Sequence, residues 1–277
     1  MKKTIKLTNN VEIPVLGLGT WLSRGRECEL AVEFSLNNGY DHIDTAQGYD
    51  NEEQVGNGWK ASGRAREDIF ITTKINNSNQ GYEKSTQSFQ KSLKDLQTDY
   101  VDLLLIHWPD INDFGRTIDT WRALVDLQAQ GLCRSIGVSN FDIPLTEQLT
   151  SEIDVIPAVN QVEFHTFLYQ QELLAYSRQK GIQIEAYSPI ARAKFFDHDD
   201  LQRIGKKYGK TPAQVMLAWL LNHDLVAIPK SVNEDRIREN ADIFFELADE
   251  DMDTLNNLHP QTRLVTGEGT PPSWSES

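Results

Sequence analysis

The 277-residue chain carries 27 basic and 41 acidic side chains, a formal charge of −14, with 39% hydrophobic and 25% charged residues. That balance describes a chain able to bury a sizeable core. It excludes a protein that grips nucleic acid or an anionic membrane, since both would repel it outside a local basic pocket. The apolar runs, such as Leu103-Leu104-Leu105-Ile106, are strand-sized and well short of the roughly 18 residues a membrane helix needs. Lys2 and Lys3 open the chain, but Glu12 and Pro14 interrupt any apolar stretch behind them and no small-residue cleavage site follows. A cytoplasmic protein without a leader is therefore expected. Two lone cysteines, Cys28 and Cys133, lack metal-like spacing or a pairing framework, which suits a reducing compartment.

In chain order, Thr4–Leu7 and Val11–Ile13, separated by Asn9-Asn10, predict a small hairpin. Strands are then predicted over Pro14–Leu18, Tyr40–Ile43, Ile69–Thr73, Val101–Ile106, Arg134–Val138, Ala158–Val162, Ile182–Ala186 and Val226–Ile228. Helical patterns lie between them. Phe89, Leu93 and Leu96 give Glu83–Leu96 an apolar face, and Ile118, Trp121, Leu124 and Val125 do the same for the next helix. Gly39, Gly131 and Gly181 stand where helices end, and Thr211-Pro212-Ala213-Gln214 reads as a capped helix start. Strands alternating with helices over short connections imply a parallel sheet covered by helices. Eight such units in about 250 residues fit a single (β/α)8 TIM barrel. No composition break divides residues 1–277, and the tail after His259, rich in Gly and Pro, reads as irregular.

In such a barrel chemistry gathers at the strand ends. There the chain places Asp44, Lys74, His107, Asn140, Gln161 or Glu163, Tyr187 and Lys230, with Tyr49 five residues beyond Asp44. A phenol of pKa about 10 is a poor proton donor at neutral pH, and a neighbouring ammonium lowers it. Lys74 is expected to be that ammonium, Asp44 its charge partner, and His107 the donor that orients a substrate oxygen. A proton donor with no nucleophile or carboxylate pair suits carbonyl reduction, with hydride delivered by a cofactor.

Gly39-Tyr40-Asp41-His42-Ile43-Asp44-Thr45-Ala46 with Tyr49 and Asn51-Glu52, Thr73-Lys74, and Leu105-Ile106-His107-Trp108-Pro109 make the chain resemble the aldo-keto reductases. Gly17-Leu18-Gly19-Thr20-Trp21, Gly137-Val138-Ser139-Asn140-Phe141, Asn160-Gln161-Val162-Glu163, Ala186-Tyr187-Ser188-Pro189 and Ile228-Pro229-Lys230-Ser231-Val232 extend the likeness along nearly the whole chain. The resemblance implies that Tyr49 is the general acid, tuned by Lys74 and Asp44, with His107 orienting the substrate. It implies an NADPH/NADP+ site in which Ser139, Asn140 and Gln161 hold the nicotinamide amide and Tyr187 stacks on the ring. Lys230, Ser231 and Arg236 would bind the 2′-phosphate and Asn240 would meet the adenine, with Gly19, Thr20, Ser188, Val232 and Glu239 completing the site. Two cations and a hydroxyl near a helix start also make physical sense as an anion site on an acidic protein.

Trp21, Asn76, Trp108 and Trp274 are expected at the substrate pocket, and the partner is a small carbonyl compound reduced by a monomer. Within the family the chain is most similar to bacterial 2,5-diketo-D-gluconate and methylglyoxal reductases, the tail from Arg263 through Gly267-Glu268-Gly269 to Trp274 resembling the former. Departures from the family pattern are Asp41 in place of Arg, Gly48-Tyr49-Asp50 in place of Ile-Tyr-Gly, and Asn76 where many relatives have Trp. A non-catalytic NADPH-binding sensor or structural protein on the same fold is the competing reading, and a hydrolase using Asp44 with Glu52 or Glu53 is a third.

Other motifs fail. Gly17-Leu18-Gly19 has Leu22 at the third glycine of a dinucleotide fingerprint, and Gly205–Thr211 is one residue short of a P-loop and follows a helical pattern. Tyr176 and Lys180 share the spacing of short-chain dehydrogenases but read as a helix face. The remaining histidines show no ligand spacing, so no metal is expected. His42 is expected to point outward, opposite Ile43.

Overall fold

The computed structural model describes residues 3–267 and 269–274, so Lys2 and Glu268 lie outside the described residues. Strands β1 (Thr4–Lys6) and β2 (Glu12–Pro14) form the antiparallel hairpin. The barrel strands follow: β3 (Gly17–Gly19), β4 (His42–Asp44), β5 (Phe70–Ile75), β6 (Val101–Ile106), β7 (Cys133–Ser139), β8 (Val159–Glu163), β9 (Gln183–Tyr187) and β10 (Val226–Ala227). Each pairs in parallel with its neighbours in sequence order, and the bridges Leu16 to Ala227 and Gly19 to Lys230 bring the last strand back to the first. The fold is the expected (β/α)8 barrel. Its first strand begins later than expected because Pro14 is still paired with Thr4 in the hairpin.

Helices α1 (Gly25–Leu36), α2 (Glu52–Ala61), α3 (Tyr82–Asp95), α4 (Phe114–Ala129), α5 (Ile143–Glu152), α6 (Gln171–Lys180), α7 (Asp199–Tyr208), α8 (Pro212–Asn222), α9 (Glu234–Ala241) and α10 (Asp249–Asn256) follow or interleave these strands. Gly131 (φ 78°) and Gly181 (φ 74°) take the left-handed conformation that ends α4 and α6. The P-loop-like stretch is a helix end and a helix start. Gly209 closes α7, and Thr211 with Gln214 forms a reciprocal capping box on α8. Among the described residues no helix is long and apolar enough to cross a membrane.

The pleat divides the core in two. On β6, Leu104 and Ile106 pack outward with the helices, whereas Leu103 and Leu105 pack inward with Phe70, Val159 and Val226. Leu7 and Ile13 of the hairpin join this inner group and plug the floor. Each such fully buried side chain contributes roughly 1.5–3 kcal/mol. An apolar floor leaves the other mouth to carry polar groups.

His42 corrects the outward expectation. The two-residue period that turns Asp44 into the barrel turns His42 inward as well. Its ring lies 4.8 Å from that of Phe70 and its Nε2 is 2.9 Å from Thr72 Oγ1. A Cβ on Gly17 would come within 2.7 Å of that ring, so the glycine makes room for it. The described residues of the tail run irregularly apart from a short 3-10 turn at Pro272–Trp274.

Candidate active site

Asp44 ends β4 and Lys74 lies near the end of β5, both facing inward and both fully buried. Lys74 Nζ donates to Asp44 Oδ1 at 2.7 Å, to Asp44 Oδ2 at 2.8 Å and to the Thr45 carbonyl at 2.9 Å. A 3-10 turn, Gln47–Tyr49, returns the phenol over this pair, with Tyr49 Oη 3.4 Å from Lys74 Nζ. Asp50 closes the turn in the left-handed conformation, φ 54°. Asp tolerates that region better than most side chains, which accounts for its standing where the family pattern has glycine. Asp41, the other departure in this segment, pairs with Arg64 at 2.7 Å.

Burial works against the ammonium of Lys74, but the charge of Asp44 and the phenol hold it above its usual range, so it stays protonated. The expected acidification of Tyr49 is outweighed. Burial pushes the phenol up, Lys74 pulls it down and Asp44 adds to the rise, leaving a net increase. The cation therefore moderates the cost of ionising a buried phenol without making it an acid of neutral strength. His107 follows β6, its ring 5.5 Å from that of Tyr49, edge to face. Burial, and then Lys74, push its pKa down to about 3, so the imidazole is neutral.

Beside this set lies a network of amides and hydroxyls. Ser139 Oγ donates to the Gln161 carbonyl at 2.8 Å, and Asn140 Nδ2 donates to Ser139 Oγ and to the His107 carbonyl, both at 3.0 Å. Tyr187 Oη donates to Asn140 Oδ1 at 2.7 Å. Thr20 is buried with its hydroxyl on the Asp44 carbonyl at 2.9 Å. A cavity of about 640 Å³ opens over Asp44, Tyr49, His107 and this network and reaches Gly19, Trp21, Asn76, Trp108, Ser188, Arg192 and Lys230.

Ser231, Val232, Arg236, Glu239 and Asn240 lie beyond the cavity lining, in the loop after β10 and on α9. Lys230 and Arg236 are exposed, and among the described residues neither has a carboxylate within salt-bridge distance. Ser231 Oγ accepts from Asn233 N at 3.1 Å, and Asn240 is buried. Glu239 accepts from the Thr211 hydroxyl at 2.6 Å and so braces the start of α8. Exposed cations on one side and amide and hydroxyl groups in the cavity are groups that could hold a nicotinamide dinucleotide carrying an extra phosphate.

Of the expected pocket residues, Trp21, Asn76 and Trp108 line the cavity and Trp274 does not. Trp274 is buried against the core with the Arg263 guanidinium 4.0 Å over its ring. The tail turn is anchored next to it, Ser273 donating to Asp142 at 2.6 Å. Arg192 sits at the cavity mouth with its guanidinium 4.9 Å over Trp21.

Two further residues take part in ways the sequence reading did not assign. Asn51 accepts from Thr45 Oγ1 and donates to the carbonyls of Thr20 and Ser23, tying the loop after β3 to the Tyr49 turn. Glu185 is a fully buried acid on β9. Its signal was position alone, two residues before Tyr187 and so on the same inward face.

Fold and site together define a class, a (β/α)8 barrel with a tyrosine set over a buried lysine–aspartate pair at one mouth. The chain belongs to the aldo/keto reductase family, whose model matches residues 15–259. It is 49% identical to a glyoxal reductase of Bacillus subtilis over 266 residues, covering 95% of each chain. It is 44% identical to the methylglyoxal reductase DkgA of Yersinia pestis, again covering 95% of each. A crystal structure of a Bombyx mori aldo-keto reductase in complex with NADP superposes with a TM-score of 0.88 at 34% identity, over 95% of this chain and 94% of that one.

Proposed function

We propose that the protein reduces small aldehydes and ketones to alcohols with NADPH, Tyr49 serving as general acid, and that vicinal dicarbonyls of the methylglyoxal type are its substrates. The observation that carries this reading is the Tyr49 hydroxyl 3.4 Å from an ammonium that Asp44 holds by two hydrogen bonds, at the base of the cavity. Neutral His107 would donate to the carbonyl oxygen and direct it at Tyr49, and the phenol would pass its proton to that oxygen. The bound nicotinamide supplies the hydride. Ser139, Asn140 and Gln161 would fix its carboxamide, Tyr187 would flank the ring, and Lys230, Ser231 and Arg236 would take the 2′-phosphate.

The dicarbonyl preference draws on the two bacterial relatives and on the small polar wall left by Gly48 and Asn76. A Cβ at Gly48 would sit 3.2 Å from Asn76 Oδ1. Arg192 would admit a carboxylate at the mouth, so a 2,5-diketo-D-gluconate-like keto acid is the second substrate class to test. Cys28 and Cys133 are buried free thiols and large exposed apolar residues are few, which supports a cytoplasmic monomer acting as one folded unit.

NADPH oxidation followed by absorbance with methylglyoxal and a panel of carbonyl compounds tests the proposal. Turnover with the dicarbonyl is expected, whereas tight cofactor binding with no turnover on any carbonyl would favour the sensor reading. Arg236→Ala should raise the Kd for NADPH by roughly tenfold or more, a charge-assisted phosphate contact being worth about 1.5–3 kcal/mol. The Kd for NADH, which lacks that phosphate, should stay within about twofold, and an equal loss for both removes the 2′-phosphate assignment.

A further inference from the structure

The buried acid beneath the site has no place in the proton-transfer scheme. Glu185 Oε2 accepts from Gln161 Nε2 at 2.9 Å, and Asp44 Oδ2 accepts from the same nitrogen at 2.8 Å. Both N–H groups of the Gln161 carboxamide are thus directed at carboxyl oxygens, one from β4 and one from β9. Gln161 lines the cavity, and its own Oε1 meets no protein donor among the described residues. An amide has one carbonyl end, and with both hydrogens anchored below, that end has no choice but to face the cavity.

We infer that Glu185 is a positioning residue for the cofactor: by holding the second N–H of Gln161 it locks that amide with its oxygen toward the cavity, as an acceptor for the NH₂ of the nicotinamide carboxamide. The inference rests on the reading of Gln161 as a carboxamide ligand. Asp44 alone cannot impose the orientation, because with one N–H held the other would be left buried without a partner. Turning it into the cavity would relieve that and present a donor where an acceptor is needed.

The surroundings agree. Burial, reinforced by Asp44, pushes Glu185 up to about 8, which disfavours a second full negative charge beside Asp44. Glu185 Oε2 is the acceptor for Gln161, and its Oε1 has no hydrogen-bond partner among the described residues. His42 Nε2 stands 3.6 Å from Glu185 Oε1, and burial pushes His42 down to about 3, so the imidazole is uncharged and forms no ion pair with Glu185.

The test compares binding of NADPH with binding of 2′-phospho-ADP-ribose, which lacks the nicotinamide, by fluorescence and calorimetry. Glu185→Leu removes the acceptor and should weaken NADPH roughly tenfold, the scale of one misdirected hydrogen bond, with 2′-phospho-ADP-ribose unchanged. Glu185→Gln keeps an acceptor oxygen and should bind NADPH within about twofold of the parent. Unchanged NADPH affinity in Glu185→Leu, equal losses for both ligands, or Glu185→Gln behaving like Glu185→Leu would each overturn the inference.

Gln161→Leu examines the underlying reading separately. If it binds both ligands normally, Gln161 is no carboxamide ligand, whatever Glu185 does. The unaltered protein gives a check that needs no variant to fold. Both side-chain N–H protons of Gln161 should be protected from exchange in nitrogen-15 NMR spectra of the cofactor-free protein, and fast exchange of either overturns the proposal.

Discussion

Tyr49→Phe should lower kcat for methylglyoxal reduction by about 10³-fold, within the 10²–10⁴-fold range that a positioned general acid contributes, while NADPH binds as before. The substitution deletes one oxygen and little else. The ring keeps its edge-on packing against His107, and Lys74 remains held by Asp44 and the Thr45 carbonyl. The rival donor in the cavity is His107. An imidazole held near 3 is no imidazolium at neutral pH, so it can orient an oxygen through its N–H but has no surplus proton to give. Stopped-flow traces of NADPH consumption would measure the step directly, and a variant that retains the parent rate would move the proton donor to His107 or to water.

Much of this site was legible before any coordinates because a parallel barrel brings its strand ends together whatever the loops do. Asp44, Lys74 and His107 each follow or end an apolar run, and three successive strand ends can only meet at one mouth. Glu185 sits in a run as apolar as theirs, Ile184-Glu185-Ala186, but inside the strand, where a lone acid has no sequence partner to announce it. Its partner Gln161, and the Asp44 that shares that amide, come from β8 and β4, and only barrel closure unites them. His42 was misplaced for a related reason. A hydrophobic interior would have excluded it, whereas the real interior carries a polar layer of Thr72, Glu185 and Gln161 above its apolar floor.

The sign of the Tyr49 shift was out of reach for a different cause. Sequence names the charged neighbour but not the depth of burial, and here burial is the larger effect. Trp274 is similar, since nothing in its composition distinguishes a tail aromatic over a cavity from one packed under Arg263.

Lys74→Met should destabilise the fold by about 3–5 kcal/mol, the usual consequence of breaking a buried ion pair from one side. Asp44 would be left as a buried carboxylate whose remaining side-chain donor is Gln161. Replacing both partners, Lys74→Met with Asp44→Leu, removes the uncompensated charge and should recover most of the loss in urea unfolding at pH 7, because an apolar pair of similar volume costs no desolvation of ions. Activity should show no such recovery. Without the ammonium the phenol loses the neighbour that offsets its burial, so Lys74→Met and the double variant should both be crippled in kcat. A double variant as unstable as Lys74→Met would mean that the pair is held for the fold. Recovered stability without recovered turnover would mean that the barrel carries two charges in its interior for the benefit of one hydroxyl group.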